Sequence, residues 1–117
     1  MQTQMDAQYI GDVRRLYNRE KPEWYGENEG LGVIFAYELD QTVIDLIKKL
    51  NARVISNRKH RIDLKINDQH WAVYPLETRY RGVRAAKALI DIRIPKDYIQ
   101  LYICPALHHY CYEVDFF

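Results

Sequence analysis

Apolar clusters and charged positions alternate along this chain at spacings that change several times. From Asp6 to Glu20, the residues Tyr9, Ile10, Val13, Leu16 and Tyr17 recur at helical spacing, with Asp12, Arg14, Arg15 and Arg19 on the other face. Pro22 stops that helix. LGVIFAYEL, residues 31–39, is a near-continuous apolar run, the pattern of a strand buried on both faces. Asp40 then offers an N-cap, and Val43, Ile44, Ile47 and Leu50 repeat three and four residues apart, with Lys48 and Lys49 at the negative end of the helix dipole. Residues 53–55 predict a short strand ahead of a basic loop, SNRKH. Ile62, Leu64 and Ile66 alternate with Arg61, Asp63 and Lys65, Asn67-Asp68 suits a tight hairpin turn, and QHWAVYPL is the returning strand.

RYRGVRAAKALIDIRIP, residues 79–95, reads as a short helix or basic loop running into a strand through Ile90, Ile92 and Ile94. Pro95-Lys96-Asp97 predicts a turn, YIQLYIC a further strand, and HYCYEVDFF a last one with Tyr110, Tyr112, Val114 and Phe116 on one side. Together these give a single α+β domain over residues 1–117, a largely antiparallel sheet of about five to seven strands packed against two or three helices.

At 117 residues, 48% of them apolar, the chain is long enough to bury a core without staples, which argues against disorder. Its apolar runs fall short of the roughly 20 residues of a membrane-spanning helix, and MQTQMDAQ lacks the regions of a signal peptide. The expectation is a cytoplasmic protein with no membrane partner and with Cys104 and Cys111 as free thiols. The net charge of +1 hides segregation: residues 48–96 hold 13 Lys/Arg against 4 Asp/Glu, and acids dominate on both sides. Such a block is either an anion-binding face or is paired internally against the acidic ends.

Chemistry is sparsely signalled. The four histidines and two cysteines show no zinc-ligand spacing, so no metal is expected, and no phosphate loop, dinucleotide turn or nucleophile elbow points to a cofactor. His60 or His70 beside Glu77 is the only acid–base candidate. The stronger constellation is basic: Arg53, Arg58, Lys59, Arg61 and Lys65, then Arg79, Arg81, Arg84 and Lys87, with Tyr80 interleaved. Guanidinium forks match phosphate or carboxylate, and an aromatic among them can stack on a base. Arg58, Lys59, Arg61, Arg79, Arg81 and Arg84 form the expected anion-facing set, and Tyr80, Trp24 and Tyr25 the expected aromatic anchors.

Two resemblances accompany this reading. PEWYGEN, residues 22–28, resembles a segment of the barstar family of ribonuclease inhibitors, although no aspartate follows Asn28 as in that family. QTVIDLIKKLNARVISNR, the hairpin HRIDLKINDQHWAVYPL leading to Arg79 and Gly82, and the closing YEVDFF resemble the viral ring-nuclease family, which cleaves cyclic oligoadenylate. That resemblance implies anion binding through Arg58 and Arg79. Leu39 stands where the family's catalytic histidine precedes Thr42, and Arg81 falls near its glutamate, so binding without turnover is implied. The resulting expectation is a small non-catalytic inhibitor of the anti-defence, anti-CRISPR kind, acting in an infected host cell on a protein, nucleotide or RNA. A homodimer through the terminal strand is a further option. The alternatives are a phosphodiesterase acting on cyclic oligoadenylate and an RNA-binding module.

Overall fold

The computed structural model describes residues 6–25, 30–76 and 83–117. Its centre is a six-stranded mixed sheet with helices on both faces, the α+β architecture expected from the sequence. The strands are β1 (Leu31–Ala36), β2 (Arg53–Arg58), β3 (Arg61–Ile66), β4 (Gln69–Pro75), β5 (Ala85–Ile90) and β6 (Glu113–Phe116), in the spatial order β2-β3-β4-β1-β5-β6. The ladders β2–β3 and β3–β4 are antiparallel, whereas β1–β4, β1–β5 and β5–β6 are parallel. Parallel neighbours on both sides explain why β1 is the near-continuous apolar run, with Val33 to Ala36 fully buried.

Helix α1 (Ala7–Tyr17) starts at Asp6, whose carboxylate accepts from the Tyr9 N–H at 2.7 Å. It ends before Pro22 is reached, because Asn18 and Arg19 turn away to bond the chain around β6. Helix α2 (Gln41–Lys49) is capped by Asp40 and closed by Asn51 at φ 53°, with the Ala52 N–H reaching Ile47 O and the Asn51 N–H reaching Lys48 O, a Schellman ending. The Asn67-Asp68 turn has φ of 48° and 66°, the mirror-type geometry that fits strand twist.

Five expectations are corrected. The sheet expected to be largely antiparallel is mixed, with three of its five ladders parallel, because β1 and β5 are joined to their neighbours by crossovers rather than hairpins. The last strand, expected to include Tyr110 and Tyr112, begins at Glu113, and Tyr110 lies in the turn after α4. The basic loop SNRKH is mostly strand: β2 runs through Arg58, and only Lys59 and His60 form the turn to β3. The strand expected through Ile92 and Ile94 ends at Ile90, where Asp91 begins a turn. The strand expected at YIQLYIC is helical. Residues 96–107 start as α3 (Lys96–Tyr98), widen into a π-helical turn (Ile99–Ile103) and close as α4 (Cys104–Leu107). Ile99, Ile103 and Leu107, each four residues apart, all point into the core. Pro105 has no N–H to give the Leu101 carbonyl, and the Cys104 N–H reaches back to Ile99 O, which widens the turn.

Each helical layer covers only part of the sheet. Helix α1 and residues 96–107 pack on one face against Val33, Phe35, Ala88, Ile90 and Val114. Helix α2 packs on the opposite face, over Ile34, Ile62, Leu64, Trp71 and Val73. Trp71 lies flat over Gly32, its cross-strand partner, where any Cβ would overlap the indole. The first face is thus left open toward β2 and β3, where Arg53, Arg58, Lys65 and His70 are exposed.

Candidate anion-binding sheet face

Directly opposite residues of an antiparallel ladder share a face. On the open side of β2, β3 and β4 this register builds three cross-strand rows. Arg58 lies opposite Arg61, Ser56 opposite Asp63, and Arg53 opposite Lys65. On the β4 side, Asp63 lies opposite Ala72 and Lys65 opposite His70. A bulge at Ile55 restores the phase between the outer rows. Four cations therefore surround one carboxylate, and two of the rows set like charges against each other, an arrangement that destabilises a sheet.

The carboxylate at the centre is buried. Asp63 Oδ1 accepts from Arg61 Nε at 3.0 Å and Nη2 at 2.8 Å, and lies 2.8 Å from His70 Nε2. Burial alone would raise its pKa, but the hydrogen bonds from Arg61 and His70 outweigh burial and hold the carboxyl below the usual range. Arg61 also donates to the Tyr74 hydroxyl at 2.6 Å, so it is the rigid member of the set. Arg53, Arg58, Lys59 and Lys65 have no ion pair among the described residues.

Arg84, Trp24 and Tyr25 converge elsewhere, at the start of β5. The Trp24 ring stacks on Tyr25 at 4.2 Å and meets Tyr110 edge-on at 6.2 Å. Arg84 lies 4.7 Å over the Tyr110 ring and donates to its hydroxyl at 2.6 Å, and the Tyr25 hydroxyl donates to Tyr110 O at 2.7 Å. Trp24 remains 62% exposed. The expected set thus divides into a grid holding Arg58 and Arg61, with Lys59 in the adjoining turn, and an aromatic cluster holding Arg84, Trp24 and Tyr25. Arg79, Tyr80 and Arg81, like Glu77, lie outside the described residues. Arg53 and Lys65 belong to the grid by register, and the strand alternation around Lys65 was the signal for them. Nothing in the sequence marked Tyr110, which anchors the second cluster from a turn.

An open groove of about 350 Å³ lies over β5 and β6, but its charges are satisfied internally, Lys87 by Glu113 at 3.7 Å and Arg14 by Asp115 at 2.6 Å. No group of three or more His, Cys, Asp or Glu among the described residues could hold a metal ion. The His70–Asp63 pair has the form of an oriented imidazole, yet no described hydroxyl or thiol hydrogen-bonds to that ring. Among the described residues, no helix is long and apolar enough to cross a membrane.

No family model matches the chain, and no curated protein matches it. Two solved structures are similar over 92% of this chain, both of the large terminase from the thermophilic bacteriophage D6E. The one in complex with ADP has a TM-score of 0.49 at 10% identity, and the other has 0.48 at 9%. The chain spans 28% and 27% of those proteins.

Proposed function

We propose that this protein is a non-catalytic binding protein that engages an anionic partner through the sheet face formed by β2, β3 and β4. One observation carries the reading: Arg53 lies opposite Lys65 and Arg58 opposite Arg61 on an exposed face. Such a register costs stability in the free protein, and an anionic ligand removes the cost. The lack of catalytic signatures in this sequence fits stoichiometric blocking, the anti-defence action that the ring-nuclease resemblance implies. The test is retention on immobilised heparin as a generic polyanion. Reversing Arg58 and Lys65 together to glutamate is expected to abolish retention, and raising salt to weaken that of the wild type progressively. Unchanged retention in the reversed protein would remove the reading.

Hydrolysis of cyclic oligoadenylate is a second reading, favoured by one feature, the His70–Asp63 pair set among cations. Incubation with cyclic tetra-adenylate decides between the two. Linear products that disappear in His70→Ala would replace binding with catalysis, whereas intact nucleotide keeps the first reading.

A further inference from the structure

The two edges of the sheet are finished differently. At the β6 edge, the Asn18 side chain donates to Val114 O at 3.0 Å and accepts from the Val114 N–H at 2.8 Å. The Phe116 N–H is taken by its neighbour's carboxylate, Asp115 Oδ1, at 2.8 Å. Arg19 closes the chain just before β6, its backbone N–H donating to Tyr112 O and its Nε to Cys111 O. A second copy pairing there would have to displace Asn18.

The β2 edge has no such covering among the described residues. Arg58 and Arg61 flank the two-residue turn, and the alternation of an antiparallel ladder then directs the Asn57 N–H and C=O away from β3. No described group hydrogen-bonds to them. Five of the six β2 residues are exposed, including Val54 at 48% and Ile55 at 50%. Such a strand is a template for a seventh.

Resting on the reading of the grid as a binding surface, we infer that β2 accepts an extended segment of a partner protein in which acidic and apolar residues alternate. The two faces of β2 dictate that pattern. A strand added beside β2 places alternate side chains on the grid face, next to Arg53, Ser56 and Arg58, and the others on the α2 face, next to Val54 and Asn57. Carboxylates satisfy the first row and β-branched or other apolar residues the second. A second copy of β2 is disfavoured, because antiparallel pairing about a two-fold axis brings Arg53 of each strand toward Arg58 of the other. The charges and the bulge that deter self-pairing thus select an acidic guest.

A random twelve-residue peptide display library, selected on the full chain, tests this. Selected peptides are expected to carry Asp or Glu at every second position with apolar residues between. A synthetic copy of a selected peptide should bind at least tenfold more weakly to Asn57→Pro, which removes an outward N–H while leaving the β3 ladder intact. In the wild type the same peptide should slow amide exchange at Asn57, which keeps the inference testable if the proline variant does not fold. Selected peptides without alternation, or binding and exchange indifferent to Asn57, would overturn it. So would a dimer of the free protein that Asn57→Pro dissociates, or a twelve-nucleotide oligouridylate that outcompetes every selected peptide. In each of those cases the grid reading stands if Arg58→Glu with Lys65→Glu abolishes heparin retention, and fails separately if it does not.

Discussion

Replacing Asp91 with alanine would remove the acceptor for the Tyr37 N–H at 3.0 Å, the Arg93 N–H at 3.0 Å and the Arg93 guanidinium at 2.8 Å. Asp91 is 1% exposed, and among the described carboxylates Arg93 would keep Asp40. The expected loss is on the order of 3 kcal/mol, read as a lower urea midpoint at unchanged slope. Acid acts on the same class of group. The Arg93 guanidinium hydrogen-bonded to Asp40 holds that carboxyl below its ordinary value, and Arg61 with His70 does so for Asp63 against the opposing effect of burial. Carboxyls with depressed pKa values stabilise fully above the unfolded value of about 4 and lose that contribution as pH falls through the folded values. Melting temperature should therefore drop below about pH 4, more gently in Asp63→Asn than in the wild type. Neither buried acid was legible in the sequence, since Asp63 and Asp91 sit in alternating patterns whose charged positions read as solvent-facing, and the pattern does not show that Arg61 and His70 hold the first inside and Arg93 and the Tyr37 N–H the second.

Asn18 is the element-scale counterpart, one side chain that finishes a strand. Asn18→Ala leaves the Val114 N–H and C=O without partners, at a cost of about 1–2 kcal/mol, and exposes the β6 edge to other chains. Sedimentation should show concentration-dependent association absent from the wild type. Helices α1 and α2 and the β3–β4 hairpin were legible because their caps, periodicity and turn residues are local. The parallel ladders were not, because pairing β1 with β4 and β5 depends on residues some forty to fifty-five positions apart. Residues 96–107 misled for another reason. Tyr98, Ile99, Tyr102 and Ile103 favour a strand by type, and the four-residue repeat of Ile99, Ile103 and Leu107 that decides for helix lies across a π turn that blurs it.

At the scale of the molecule, the sequence showed that positive charge is concentrated in residues 48–96 but not which face displays it. That follows from how the helices divide the two sides of the sheet. The division makes a prediction that binding alone would not: Lys65→Glu turns the like-charged Arg53–Lys65 row into an opposite-charged one. The variant should be more stable than the wild type by about 0.5 kcal/mol while losing heparin retention. A less stable variant would mean that the register carries no stored repulsion. The placement of the two tryptophans makes such experiments readable without labels. Trp71 is 8% exposed and pressed against Gly32, while Trp24 stands out on its stacked tyrosine. Their emission should separate into a blue component shielded from acrylamide and a red component that is freely quenched. The first follows the integrity of the core, and the second follows whatever settles on the aromatic cluster.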